Sequence, residues 1–347
     1  MKKTLAALIV TAFAASAANA AVVYDNEGTK VELNGSLRLI MEKADKKVYN
    51  AANQSTKKAN SALRNAGSRF GITVKHNLDN DFYALGRLEF RFDDTTSRDK
   101  FGRLYAKRAY VGLGSKATGD ITFGRQLTIA DDLSQAVDYE YGFIPKSEYI
   151  PTAGTGVVRY DYKGIEGLQL SANYNFGQTN DEKGNPLKPG IKNAYAVGAL
   201  YTVGDLDARL AYGHTNFETG ASYAHRLDGV LASLGYKFGD FTLTGDFGYG
   251  HEKLDDAKVN KFYVSPGFAY QVVPASKVYG NYLYERVKGE ADKDKTHGFL
   301  LGADYKLHKQ VVLFVEGKYV TTKEYVNDSY DGKTKDRAIG VGMRVFF

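Results

Sequence analysis

Acidic side chains are concentrated in one connection of the chain, from residue 127 to about residue 154. It carries Asp131, Asp132, Asp138, Glu140 and Glu148, against Lys146 as its one basic residue. Tyrosines, a phenylalanine and two prolines accompany these charges, and they favour an ordered structure over a slack one. A connection of this length with apolar content is more often functional than a plain linker. Placed opposite a basic surface in a narrow passage, it would create a transverse electric field that orders water and penalises apolar solutes.

Arginines on the neighbouring stretches provide a candidate for that basic surface. Arg38, Arg69, Arg108 and Arg159 flank or precede the acidic connection, and each lies among residues that alternate between polar and apolar. The alternation puts these arginines on the polar face, because a guanidinium in lipid at mid-depth costs about 2–4 kcal/mol. Arg87 and Arg91 fall on the same, polar face of this alternation. The competing interpretation is that all these charges are simply solvated residues of loops and strand ends.

Signatures of enzymes and of metal or cofactor sites are weak in this sequence. The histidines are scattered and none has metal-ligand spacing: His76, His214, His225, His251, His297 and His308. Ser55 and Lys58 form an S-x-x-K that lacks companion motifs, and the glycines at 112 and 114 lack the following helix of a dinucleotide site. We therefore expect no enzyme, no cofactor and no metal, and keep a barrel-borne hydrolase only as a minor alternative.

The elements that must position the charges are β-strands. Residues 30–42 alternate almost completely, and so do the last nine residues, in which Val341, Met343, Val345 and Phe347 share one face. A period of two puts each set on its own face of a strand. A terminal strand with one apolar face must pair on both edges or aggregate. If it pairs with the first strand, the sheet closes into a barrel.

Turn signals give the number of strands. Short turns are predicted at 77–81, 114–119, 163–167, 203–205, 238–240, 272–276 and 307–309. Longer polar connections start near Lys43, Asp93, Leu127, Gln178, Phe217, Glu252, Lys288 and Lys323, the first being predicted as a long loop over residues 43–64. Seven turns pair fourteen strands, and the terminal strands bring the total to sixteen. The predicted fold is all-β: a 16-stranded antiparallel transmembrane β-barrel with an inward-folded third loop.

A soluble β-sandwich would also alternate. Strands of about ten residues, aromatics at strand ends and the closing strand weigh against it. Sixteen strands would leave an aqueous lumen.

The amino terminus reads as a secretory signal. Lys2 and Lys3 precede a short apolar run, which ends in an A-x-A site at residues 18–20, so cleavage is expected after Ala20. The apolar run is too short for the alternative, a membrane anchor. Residues 21–347 then form one barrel domain without cysteine. Without Lys2 and Lys3 there are 44 basic residues (46 − 2) against 40 acidic ones, and their scatter gives no nucleic-acid footprint.

Several stretches resemble the major porins of Haemophilus and its Pasteurella relatives. They are A-V-V-Y-D-N-E-G-T at 21–29, G-S-R-F at 67–70, Y-I-P-T at 149–152, Y-V-S-P-G-F at 263–268 and L-H-K-Q at 307–310. The similarity runs over the whole chain after residue 20 and departs most in the long loops. The P-E-F-G-G-D motif of enterobacterial porins is absent, so the acidic residues proposed for a constriction rest on loop position and charge.

The resemblance implies a general-diffusion porin of the bacterial outer membrane, a homotrimer whose third loop narrows the pore opposite a basic cluster. By position, Arg69, Arg108 and Arg159 match that cluster. The resemblance further implies a second loop, around residues 93–100, that latches onto a neighbouring subunit. It also implies a final strand that signals to the barrel-assembly machinery, with lipid and lipopolysaccharide as surroundings. The alternative function is an adhesin or surface receptor acting through the long loops.

Overall fold

The computed structural model describes residues 20–93, 102–219 and 225–347. The predicted signal peptide, except Ala20, lies outside the described residues and stays a prediction. Most of the predicted subunit latch at residues 93–100 also lies outside them. Within the described ranges, no helix is long and apolar enough to cross a membrane.

Nineteen β-strands and two 3₁₀ helices make up the described structure. The strands in the first half of the chain are β1 Ala21–Asn26, β2 Thr29–Asn50, β3 Ser55–Asn65, β4 Arg69–Asn77, β5 Phe82–Phe92, β6 Leu104–Ser115, β7 Gly119–Leu127, β8 Ala153–Ile165, β9 Leu168–Asn175 and β10 Gln178–Asn180. Those in the second half are β11 Pro186–Val203, β12 Leu206–Phe217, β13 His225–Phe238, β14 Phe241–Leu254, β15 Ala257–Val273, β16 Ser276–Lys288, β17 Asp292–His308, β18 Val311–Val326 and β19 Ser329–Phe346. The 3₁₀ helices are Ile129–Leu133 and Lys146–Glu148.

These strands fill sixteen positions in one closed antiparallel ring. Strands β19 and β1 follow each other along one edge of β2, where Phe346 pairs with Ser36 and Ala21 pairs with Leu33. Strands β3 and β4 follow each other along its other edge, and β9 and β10 both pair with β11. The predicted pairing of the two chain ends and the predicted count of sixteen are therefore confirmed.

The two faces of the strands divide as the alternation predicts. On β2, Leu37, Leu39 and Met41 are exposed, whereas Ser36 and Ile40 are buried. The same division holds at the carboxyl end: Val341 and Met343 on β19 and the following Phe347 are exposed, Val345 is half-buried, and glycines occupy buried positions between them. Apolar side chains that stay exposed around a closed ring form a belt that only lipid can cover.

All seven predicted short turns are confirmed, since each strand pair is joined at the predicted residues. The prediction of a long loop at residues 43–64 is wrong. Strand β2 continues to Asn50 and β3 begins at Ser55, and the two pair from Leu39 to Tyr49. The longer connections predicted near Glu252 and Lys323 are also wrong. The strands on either side continue through these residues and are joined by turns of two residues. Polar residues dominate both faces there because the hairpins project beyond the apolar belt, so the alternation that marks a half-buried strand is lost.

The third loop, residues 128–152, lies inside the ring. Its residues contact side chains on β8 and β9, on strands from β11 through β19, and on β2 and β3. A segment that meets so much of a closed wall must pass through the lumen. The predicted inward fold of the loop therefore follows from the contacts.

Candidate pore constriction

Glycines on successive strands create the groove in which the third loop rests. A Cβ atom at Gly213 on β12 would lie 2.6 Å from Ile150, and one at Gly229 on β13 would lie 2.2 Å from the Tyr149 carbonyl oxygen. A Cβ atom at Gly340 on β19 would lie 2.6 Å from the Tyr141 hydroxyl. The loop can approach the wall this closely only because these positions carry no side chain.

Apolar residues of the loop fill that groove. Ile129, Leu133 and Tyr149 are fully buried and pack against inward-facing residues of the wall, among them Leu231 and Tyr263. Tyr141 packs in a second cluster with Ile40, Tyr279 and Phe314. The loop is thus attached by its own small cores, which makes it a fixed partition and not a free flap.

Glu316 on β18 holds the middle of the loop. Its carboxylate is fully buried and accepts hydrogen bonds from the backbone N–H groups of Tyr139, Glu140 and Tyr141, at 2.7, 2.8 and 2.5 Å. The Tyr279 hydroxyl donates to the same carboxylate at 2.8 Å. Hydrogen bonds to an ionised group are about twice as strong as neutral ones. One wall carboxylate therefore fixes three consecutive loop residues.

Further wall residues hold the first half of the loop. Asp246 on β14 accepts from the Ser134 hydroxyl at 2.5 Å and from the Gln135 N–H at 3.1 Å. Arg209 on β12 donates to the carbonyl oxygens of Asp132 and Ser134. These hydrogen bonds satisfy backbone polar groups that a buried loop would otherwise leave without partners.

Glu140, one of the predicted constriction acids, is bound to the wall. Its carboxylate lies 2.6 Å from Arg64 on β3, and the same guanidinium binds Glu42 on β2 at 2.8 Å. The Tyr141 hydroxyl also donates to Glu42. Burial and this hydrogen bond raise the pKa of Tyr141 above its ordinary value, so the hydroxyl stays a donor at physiological pH.

Three of the four predicted arginines are brought together on the part of the wall that the loop leaves open. We name the arginine cluster as Arg38, Arg69, Arg87, Arg91 and Arg108, on β2, β4, β5 and β6. Glu89 on β5 is its buried centre, with ion pairs of 2.6 Å to Arg91, 2.9 Å to Arg87, 3.7 Å to Arg108 and 3.9 Å to Arg69. Arg38 lies beside Arg69 and Arg91, and its Nε donates to Ser36.

The arginine cluster has excess positive charge, since five guanidinium groups surround one carboxylate. In the part of the chain that the structure describes, Arg69, Arg87, Arg91 and Arg108 form no hydrogen bond or ion pair with the third loop. Their side chains keep 17–22% of their surface exposed. The loop contacts the wall from β8 round to β3, so the cluster, which has four of its five arginines on β4, β5 and β6, faces the remaining passage.

Arg159, the fourth predicted arginine, lies apart from this cluster. Its guanidinium forms ion pairs of 2.9 Å with Asp132 of the loop and with Asp161 on its own strand, β8. Asp132 is therefore engaged at the root of the loop. Asp131 uses its carbonyl oxygen to accept from Lys146, whereas Asp138 is exposed. Within the described residues, the carboxylates of Asp131, Asp138 and Glu148 have no hydrogen-bond or ion-pair partner, so they are the loop acids free to act on a passing solute.

Sequence reasoning did not assign roles to Glu89, Glu316, Asp246, Arg64 or Arg209. The signal available in the sequence was their odd or even position along the strand, which puts all five on the polar face. Their partners are far away in sequence: Glu316 and Tyr141 are separated by 175 residues. The described residues contain no group of three or more His, Cys, Asp or Glu side chains arranged to hold a metal ion.

Comparisons with known proteins agree with this architecture. A family model described as Gram-negative porin matches residues 4–340. A major outer membrane protein of Pasteurella multocida strain Pm70 is 31% identical over 379 residues, covering 100% of both chains.

Solved structures share the fold at lower identity. OmpT of Vibrio cholerae, described in a trimer form, has a TM-score of 0.69 at 18% identity, covering 92% of this chain and 100% of that one. An anion-selective porin from Comamonas acidovorans has a TM-score of 0.64 at 17% identity, with the same coverage.

Proposed function

The chain belongs to the Gram-negative porin family of the outer membrane, and from that premise we propose that it forms a water-filled channel for passive diffusion of ions and small hydrophilic solutes. The family points to a channel and not to an enzyme. The observation that carries the proposal is the third loop, seated across the lumen and leaving open the wall that carries the arginine cluster.

The narrowing should select by charge as well as by size. Five arginines around Glu89 lie on one side of the passage. On the loop side, Glu140 and Asp132 are paired with arginines, which leaves Asp131, Asp138 and Glu148 as the free acids. A passage with this balance has a transverse field and a modest preference for anions, because unpaired positive charge exceeds unpaired negative charge.

Single-channel recording in planar bilayers tests this proposal, with the reversal potential in a KCl gradient as the measure of ion preference. The wild type should show large ohmic conductance. Arg108→Ala should shift the preference toward cations, because it removes an arginine that Glu89 holds only loosely, at 3.7 Å. Asp132→Asn should shift it toward anions, because it loosens Arg159.

Arg337→Ala provides the matched control, since Arg337 pairs with Asp45 on the outer face of the barrel. It should leave both conductance and ion preference unchanged. Correctly assembled barrels that do not conduct would overturn the channel. Conduction with no shift in either lumen variant would retain the channel and discard the charged constriction.

We further propose that the barrel works as a homotrimer, assembled through recognition of its last strand. Support comes from the similarity to OmpT, whose structure is described in a trimer form, and from the exposed apolar residues Val341, Met343 and Phe347 at the carboxyl end. Triplet conductance steps and a trimeric mass in mild detergent are expected. Single, independent steps at every protein concentration would contradict the trimer.

A further inference from the structure

The fourth long connection, residues 176–185 between β9 and β11, folds back across the wall of the barrel. Glu182 at its tip forms an ion pair with Lys107 on β6, three strand positions away from β9. Arg125 on β7 donates to the Glu182 carbonyl oxygen at 3.0 Å. Lys107 also lies near Arg91 of the arginine cluster and Asp131 of the third loop. The tip is therefore on the lumen side of the wall, at the end of the barrel that carries the long connections.

This connection encloses a cavity of about 750 Å³ against the wall, a volume within the range of pockets that hold small ligands. Side chains from β7, β8 and β10 and from the residue after β12 line it, namely Arg125, Thr155, Gln178 and Glu218. We name this cavity the vestibule pocket. None of the described residues that line it is aromatic, so its chemistry suits a polar solute and not an apolar one.

Two charges of the vestibule pocket are free, and they have opposite signs. Arg125 donates from one nitrogen, Nη1, to the carbonyl oxygens of Ala106 and Glu182, and within the described residues it forms no ion pair. The Glu218 carboxylate lies over Gly190, where a Cβ atom would be 2.7 Å from Oε2. In the ranges that the structure describes, this carboxylate has no hydrogen-bond or ion-pair partner.

The other charges around the vestibule pocket are already engaged. Glu182 is paired with Lys107, and Lys183 is paired with Asp93 at 2.8 Å. The Asp181 carboxylate accepts hydrogen bonds from N–H groups of its own turn. A simple anion would meet the free carboxylate, and a simple cation would meet the free guanidinium. A solute that carries both charges can satisfy both.

The spacing of the two free charges sets the length of that solute. Arg125 on β7 and Glu218 after β12 are four strand positions apart, with β8, β9 and β11 between them. At about 4.8 Å per strand, they are about 19 Å apart along the curved wall, and inward-pointing side chains shorten this. The two ends of one amino acid are too close together to reach both. An extended chain covers about 3.3–3.6 Å per residue, so about four residues fit.

We propose that the vestibule pocket binds short zwitterionic peptides of about four residues. The terminal carboxylate of the peptide pairs with Arg125 and its terminal ammonium with Glu218, and such charge-assisted hydrogen bonds are the stronger kind. Gln178 uses its Oε1 to accept from the N–H and hydroxyl of Thr155, which leaves its amide N–H groups for a peptide carbonyl. The inference goes beyond passive diffusion, because it assigns a binding site that can be measured without current.

Isothermal titration calorimetry on the full, refolded chain in neutral detergent tests the proposal. The probes are tetraglycine, N-acetyl-tetraglycine, which lacks the ammonium group, and tetraglycine amide, which lacks the carboxylate. The test variants are Arg125→Gln and Glu218→Gln. The matched controls are Arg226→Gln, at an exposed position of β13, and Glu324→Gln, near the outer end of β18.

Tetraglycine should bind the wild type about tenfold more tightly than either modified probe, because each modified probe lacks one charge-assisted contact. Arg125→Gln should weaken tetraglycine by about the same factor and leave tetraglycine amide unchanged. Glu218→Gln should weaken tetraglycine and leave N-acetyl-tetraglycine unchanged. Both controls should stay within about twofold of the wild type, and added salt should weaken tetraglycine most.

Three results would overturn the inference. They are equal affinity of the wild type for all three probes or for none, an Arg125→Gln variant that loses all three probes by one factor, and a Glu218→Gln variant that behaves as its control. The second result would mean that Arg125 only supports the fourth connection. A barrel that conducts but binds no peptide retains the channel and removes this site, whereas a barrel that binds tetraglycine without conducting does the reverse.

Discussion

Single carboxylates decide where the third loop lies. Glu316 and Asp246 are each at least 97% buried and bind backbone N–H groups of the loop, so their charge is balanced by the segment that they position. Glu89 acts on the opposite side of the passage. Its negative charge reduces the repulsion between the guanidinium groups that lie close together on the open wall. The acids of the wall therefore build the passage, while few of the acids of the loop face it.

Glu316→Gln should loosen the middle of the loop without preventing the barrel from forming. The amide oxygen cannot reproduce charge-assisted bonds to three N–H groups and a tyrosine hydroxyl, and the loss should be about 2 kcal/mol. We expect noisier open-channel current and a higher mean conductance. Glu324→Gln, on the same strand near its outer end, is the control and should behave as the wild type. Identical noise in both variants would show that Glu316 does not hold the loop.

Individual site residues were predictable from the sequence to the extent that parity determines them. Parity placed Arg38, Arg69 and Arg108 on the inner face, and the structure brings them together. It could not tell that Arg159, on the same face, is bound by Asp132 and Asp161. The odd or even position of a residue along a strand determines which face it lies on. Which ion pairs it forms also depends on its height along the barrel axis and on the path of the third loop.

At the scale of elements, the glycine-lined groove and the loop are two halves of one structure. Gly229 faces the Tyr149 carbonyl, which is backbone and cannot rotate away. Gly229→Ala should therefore displace the second half of the loop into the lumen and lower conductance. Gly245→Ala on the next strand is the control, since nothing lies within 4 Å of its Cβ position. A Gly229→Ala channel that conducts like the control would show that the loop tolerates the displacement.

Turns and hairpins differ in how well the sequence predicts them, for a physical reason. Short turns depend on local backbone conformations that few residues adopt, and Asn80, Asp81, Gly119 and Gly239 all have positive φ there. The β2–β3 hairpin also turns at a residue with positive φ, Asn53, but over residues 43–64 its strands lack the apolar–polar alternation, because water reaches both of their faces. Its strands are held by pairing alone, which a polarity pattern does not reveal.

For the whole molecule, closure converts weak strands into a stable fold. The pairing of β19 and β1 with β2 leaves no free edge, and the last residue, Phe347, exchanges backbone hydrogen bonds with Gly35. Closure was predictable because the terminal strand must find a partner. Stability then depends on which environment each face meets, and the outer face meets lipid over a limited height.

Depth within that belt can be tested on a single strand. Leu301 and Leu307 lie on the outer face of β17 with nearly equal exposure, 60% and 59%, but Leu307 is one residue from the end of the strand. Leu301→Arg should lower the free energy of unfolding by about 2–4 kcal/mol, and Leu307→Arg by about 0–1 kcal/mol. Urea unfolding in lipid vesicles measures both. Equal losses would mean that the belt is not centred where the exposed side chains place it. No loss at either position would mean that this face does not meet lipid, because arginine is costly only where hydrocarbon replaces water.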